Sequence, residues 1–256
     1  LPLLRAAFTI YTTFALKRQV FAIAPPPVYT VTVKNGGAAM RYDAVLLDMD
    51  GTVLDTLEDL TDAVNAALRQ FGLPEVGADR ARASLGHGAL WLIGHCVPEG
   101  SPEELTARVL EWYRPYYDAH CRIKTKPYEG VVPLLERLRG AGLRLAVISN
   151  KQDGAVKELA AAFFPGLLDC AVGERLGVRR KPYPDSALAA AETMGVAPER
   201  CIYVGDTEVD IETAANAGMA CAAVCWGFRS REQLVAAGAE RPAETVGELE
   251  ERLTGE

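Results

Sequence analysis

The residues best suited to chemistry fall in four short clusters. The first reads Asp48-Met49-Asp50-Gly51-Thr52-Val53-Leu54-Asp55. Two carboxylates two positions apart, where an apolar run ends, can address one site, and Gly51 allows a tight turn with amides free for an anion. Ser149-Asn150 closes a second apolar run, Lys181-Pro182 comes next, and Gly205-Asp206 closes a further run with Asp210 four residues on. Singly these are ordinary: Ser-Asn after a strand is usually a helix cap, Lys before Pro a solvated charge, Gly-Asp a turn. Together and in this order they supply a carboxylate nucleophile, hydrogen-bond donors for a phosphate, a fixed cation and an acidic site for a divalent metal. That combination suits phosphoryl transfer.

The elements that must position these groups are legible from Met40 onward, where short apolar runs alternate with helical patterns. This alternation predicts an α/β fold, a doubly wound parallel sheet of Rossmann-like kind, with ligands outside the carboxyl ends of the strands. Candidate strands are residues 44–48, 143–149, 170–173, 201–205 and 220–225. Between the first two lie about 95 residues, far more than one crossover needs. Leu60, Val64, Ala67, Leu68 and Phe71 follow helical spacing there, and Ser101-Pro102-Glu103-Glu104 reads as a capping box with Pro at the first helical position. The expected organisation is a catalytic core of residues 40–56 and 127–256 with a helical cap domain, residues 57–126, inserted after the first strand.

Residues 1–39 differ in character from the rest of the chain: they are basic, without Asp or Glu, and interrupted by Pro25-Pro26-Pro27. They read as a non-domain leader, upstream sequence translated in frame ahead of a start at Met40, with a transit peptide as the alternative. The apolar stretch 6–16 is too short to span a bilayer. Over the whole chain the balance of 49% hydrophobic and 24% charged residues is that of a globular protein, and the net charge of −7 argues against nucleic acid or an anionic membrane as partner. Six cysteines without a C-x-x-C pair read as free thiols in a reducing cytoplasm.

With all four clusters in place, residues 43 to about 250 resemble the haloacid dehalogenase superfamily of Mg²⁺-dependent phosphohydrolases. The helical insert, Ala214-Ala215-Asn216-Ala217-Gly218 and Trp226-Gly227-Phe228-Arg229-Ser230-Arg231 resemble its phosphoglycolate phosphatase-like branch. The resemblance implies Asp48 as nucleophile, carrying the phosphoryl group as an aspartyl-phosphate, and Asp50 as general acid and then general base. It implies Mg²⁺ on Asp48, the Asp50 carbonyl and Asp206, phosphate contacts from Gly51, Ser149, Asn150 and Lys181, and Asp210 orienting Lys181 or a metal-bound water. An acid at position 50 favours C–O–P or P–O–P cleavage over dehalogenation.

The implied substrate is a small phosphorylated metabolite, 2-phosphoglycolate foremost. A pyrophosphatase, a sugar phosphatase or a β-phosphoglucomutase of the same superfamily is the alternative. A phospho-accepting receiver module, from another class, fails on length and on the acid at position 50. A monomer or homodimer is expected. Substrate choice falls to the insert acting as a lid, with Gly86, His87 and Gly88 as a specificity loop or else a helix–helix turn with His87 facing solvent. Arg80 and Arg82 read as surface charge, with contact to a substrate carboxylate as the alternative, and Trp112, Tyr113, Tyr116 and Tyr117 as lid core rather than a base-stacking platform.

Overall fold

The computed structural model describes residues 41–255, so the leader and the proposed start at Met40 lie outside the described residues. The sheet has five parallel strands in the order β5-β4-β1-β6-β7: β1 (Ala44–Leu47), β4 (Arg144–Gln152), β5 (Cys170–Glu174), β6 (Cys201–Gly205) and β7 (Ala220–Ala223). In the central pairings, Ala44–Leu47 run in register with Arg144–Val147 on one side and Cys201–Val204 on the other.

β1 is buried on both faces, and the period-two alternation of its side chains divides the core. Val45 and Leu47 face a layer containing α5 (Val131–Gly140), α6 (Asp153–Phe163) and α10 (Val246–Thr254), through Leu134, Leu138, Val156, Leu159, Leu249 and Leu253. Ala44 and Leu46 face α7 (Asp185–Met194) and α8 (Glu208–Ala217), through Ala187, Ala190, Ala191, Met194, Ala214 and Ala217. Alanines at these contacts let α7 and α8 lie close to the sheet. A short α9 (Arg231–Ala236) precedes α10.

Four helices stand between Asp55 and Lys126: α1 (Leu57–Gln70), α2 (Ala78–Ala83), α3 (Ala89–Cys96) and α4 (Glu103–His120). Leu60, Val64, Ala67 and Leu68 are buried on α1 at the expected spacing. The chain enters and leaves this insert through β2 (Leu54–Asp55) and β3 (Lys126–Pro127), two antiparallel strands of two residues each, pairing Leu54 with Pro127 and Asp55 with Lys126. The buried Asp59 carboxylate fixes the exit by accepting from the Lys124 amide at 3.0 Å and the Thr125 amide at 2.8 Å.

The expected capping box at Ser101 does not form. α4 begins at Glu103 behind Pro102, and the Ser101 hydroxyl instead donates 2.7 Å to the Pro98 carbonyl. With Pro102 as the last non-helical residue, the serine sits one position too early to reach the first-turn amides.

Candidate active site

The site lies at the carboxyl ends of β1, β4 and β6, beside the place where chain order reverses between β1 and β6. Asp48 leaves β1 and Asp206 leaves β6; both are buried. Gly51 turns the chain back at φ +86, so that its amide donates 2.9 Å to the Leu54 carbonyl. The expectation that this amide is free for an anion is therefore corrected: the turn itself takes it up. A side chain at Gly51 would collide with the Asp206 carboxylate, and one at Gly227 would meet the same carboxylate from the other side. The two glycines form a slot in which Thr52 donates its hydroxyl to Asp206 at 2.7 Å and the Phe228 amide donates at 2.8 Å.

Asp48, Asp206 and Asp210 bring carboxylate oxygens within 4.8 Å of one another. The Lys181 ammonium lies 2.8 Å from Asp48 and 2.7 Å from Asp210. Asp210 is held in turn by the Thr207 amide and hydroxyl at 3.0 and 2.8 Å, which close the first turn of α8. Burial drives the Asp48 carboxyl well above the usual range, against the pull of Lys181. Burial, then the charge of Asp210, pushes Asp206 up to about 7 despite its two hydrogen bonds. Burial works against the Lys181 ammonium too, yet Asp210 and Asp48 hold its pKa well above the usual lysine range.

Three buried carboxylates thus share one cation. The oxygen-only donor set and the surplus negative charge fit a hard divalent ion such as Mg²⁺.

Asn150 is placed differently from the expectation. Both hydrogens of its amide are taken, by the carbonyls of Gly86 and Lys181 at 3.0 Å, and its oxygen accepts from the Lys181 amide at 2.8 Å. The side chain fastens Lys181 and the insert in position and has no donor left for a phosphate. Ser149 stands nearer the chemistry, its hydroxyl 3.5 Å from Asp50.

Gly86 and Gly88 line the cavity over the site, whereas Arg80 is bonded to the carbonyls of His95 and Val97 within the insert. His87 does not face open solvent: its Nε2 lies 3.3 Å from Glu208 Oε1. Glu208 also pairs with Arg229 at 2.8 Å, and Arg229 donates to the carbonyls of Arg82 and Leu85. Burial opposes the Glu208 charge, but the Arg229 hydrogen bonds hold its carboxyl below the usual range. A core arginine thereby ties down the insert segment that carries Gly86-His87-Gly88.

Residues outside the sequence expectation complete the site. Lys151, directly after Ser149-Asn150, reaches Asp50 Oδ1 and the Tyr117 hydroxyl, each at 2.6 Å. Tyr113 and Tyr117 do more than fill the insert's interior, since both line the cavity. The signal for Lys151 was its adjacency to the second cluster; Gly227 and Phe228 lie in the Trp226–Arg231 segment that carries the branch resemblance, but nothing local to that segment ties them to Asp206.

A profile of the haloacid dehalogenase-like hydrolases matches residues 42–218. The chain belongs to that family and, within it, to the phosphoglycolate phosphatase-like branch, and is a phosphoric monoester hydrolase. It is 31% identical over 204 residues to the phosphoglycolate phosphatase of Aquifex aeolicus, covering 79% of this chain and 94% of that one. It is 33% identical over 195 residues to the N-acetylmuramic acid 6-phosphate phosphatase of Pseudomonas aeruginosa, covering 74% and 84%. A crystal structure from Lactobacillus delbrueckii subsp. bulgaricus, provisionally named a phosphoglycolate phosphatase, superposes with TM-score 0.81 at 39% identity, covering 85% of this chain and 100% of that one.

Proposed function

We propose that this protein hydrolyses a small phosphate monoester, with 2-phosphoglycolate the substrate best matched, through an aspartyl-phosphate on Asp48. The observation that carries the reading is the buried Asp48 carboxylate, bracketed by Lys181 and the acidic pair Asp206 and Asp210, with Asp50 beside it on the same cavity. Asp48 attacks phosphorus as the bond to the leaving oxygen breaks, and Asp50 delivers a proton to that oxygen. Asp50 then takes a proton from water, whose oxygen attacks the same phosphorus and releases phosphate from Asp48. Lys181 stays fixed throughout and offsets phosphoryl charge, while Ser149 offers a hydroxyl to a phosphoryl oxygen. Asp210 and Asn150 hold Lys181 in place.

Asp48, the Asp50 carbonyl and Asp206 would hold Mg²⁺, with Asp210 in support; bound there, the ion neutralises charge on the phosphoryl group. The helices between β2 and β3, residues 57–126, act in this reading as a lid domain on a core of residues 40–56 and 127–256.

Two relatives differ in substrate. Leu60, Leu85, Leu92, Tyr113 and Tyr117 wall the insert side of the cavity, and these apolar and aromatic side chains offer few of the hydrogen-bonding partners that a substituted sugar would need. No helix among the described residues is long and apolar enough to cross a membrane, in keeping with a diffusible metabolite as partner. The test is phosphate release from 2-phosphoglycolate, N-acetylmuramic acid 6-phosphate, pyrophosphate and hexose phosphates, with Mg²⁺ and with EDTA. Fastest turnover of 2-phosphoglycolate that vanishes in EDTA is expected; a faster sugar phosphate, or full activity in chelator, overturns the substrate or the metal assignment respectively.

A further inference from the structure

The site contains two buried lysines, and the mechanism uses one. Lys181 is held by two carboxylates, Asp48 and Asp210, and serves the phosphoryl end. Lys151 has a side chain only 6% exposed and a single carboxylate partner, Asp50, at 2.6 Å. Its other contact is the Tyr117 hydroxyl at 2.6 Å, with the ammonium 4.5 Å from that ring. An ammonium has three N–H donors, and among the described residues only these two acceptors engage them. Lys151 also lines the cavity, among walls that are largely apolar on the insert side. A buried ammonium with a donor to spare, next to the group assigned as general acid, is where an anion on the leaving group would settle.

We propose that Lys151 recognises a carboxylate carried by the leaving group and thereby releases Asp50 for catalysis. This rests on the phosphatase reading above. In a substrate of the form phosphate–O–CH₂–COO⁻, the carboxylate carbon is two bonds from the ester oxygen. Asp50 must reach that oxygen, and Lys151 touches Asp50, so the substrate carboxylate falls within reach of the same ammonium. It competes with Asp50 for Lys151, and the freed Asp50 side chain turns toward the ester oxygen. An ester without the anion leaves Asp50 paired with Lys151 and reacts slowly. Tyr117, from α4 of the insert, brings the lid into the same contact, so the anion is sensed only with the insert in place.

The experiment compares 2-phosphoglycolate with its neutral isostere, the amide of 2-phosphoglycolate, in wild type and in Lys151→Met. Wild type should prefer the acid by about 100-fold in kcat/KM, and Lys151→Met should reduce that preference below about ten-fold, by losing far more on the acid than on the amide. Calorimetric binding of both compounds, run alongside, should show the same collapse of preference. Wild type that treats acid and amide alike overturns the proposal without any variant and leaves the phosphatase reading standing. Equal slowing of both esters in Lys151→Met also overturns it, because Lys151 would then only hold Asp50 in place. Release of phosphate from neither ester, nor from any other monoester, sinks the phosphatase reading instead. In that event a binding preference for the acid that Lys151→Met removes still supports the carboxylate site.

Discussion

The strand ends of the core and the inner face of the helical insert line one cavity with opposite materials. The core contributes ionisable groups, Asp48, Asp50, Lys151 and Lys181, most of them held by two or more contacts. The insert contributes Leu60, Leu85, Leu92, Tyr113 and Tyr117, which shape the space and exclude water while adding few charges. In the proposed mechanism the reaction is therefore set by the sheet, and the choice of substrate is shared between the helices of the insert and Lys151 near the end of β4. Changes on the core side should act on kcat by orders of magnitude, and changes at the insert should act on KM by much smaller factors.

The largest effect is expected at Asp48. Asp48→Asn should lower kcat by about 10⁴-fold or more and abolish covalent labelling, since an amide is a poor nucleophile. Substantial residual turnover would remove the nucleophile assignment. Next comes Asp50→Asn, which should slow an alkyl phosphate by about 10² to 10⁴-fold in the phosphorylation step but p-nitrophenyl phosphate much less, because its phenolate departs with little help. Equal losses, measured before the steady state, would mean that Asp50 acts on structure or on the metal.

Arg229→Ala tests the other side of the contrast. It cuts the tie between Glu208 and the carbonyls of Arg82 and Leu85, and should raise KM about ten-fold with a smaller change in kcat. A kcat loss as large as that of Asp50→Asn would erase the division between core and insert. The smallest effect is on stability. In EDTA, Asp206 titrates at about 7 in the folded chain against about 4 for an exposed carboxylate, and Asp48 is shifted in the same direction. The stability these groups permit is full below about pH 4 and is lost as pH rises toward 7. The melting temperature in EDTA should thus be about 5 °C lower at pH 8 than at pH 5, and Mg²⁺ should narrow the gap. A melting temperature unchanged by pH in EDTA would refute the charge surplus at the cluster.

The same contrast governs what was legible in the sequence. Buried parallel strands are continuous apolar runs, so Ala44–Leu47 and Cys201–Gly205 could be read almost to the residue, and polar groups just beyond them stood out. Lys151 was obscured because β4 runs on to Gln152 after its apolar stretch ends, placing a lysine inside a strand where composition suggests a loop. β2 and β3 are too short to carry any periodicity. The slot around Asp206 joins Gly51 to Gly227, and a pairing across that span leaves no local trace. Asn150 shows the converse: the residue was legible, but its partners, two backbone carbonyls and an amide, are set only by the tertiary fold.

The ribbon of β2 and β3 has a consequence for modularity. Leu54 pairs with Pro127 and Asp55 with Lys126, so the two ends of the insert are held one strand spacing apart, about 4.8 Å. Any folded unit whose termini lie that close together could be spliced between Asp55 and Lys126 without moving a strand of the main sheet. Such a graft would exchange one shape of leaving-group chamber for another above an unchanged reactive floor, making this joint the natural seam at which to cut when building a phosphatase for a new substrate.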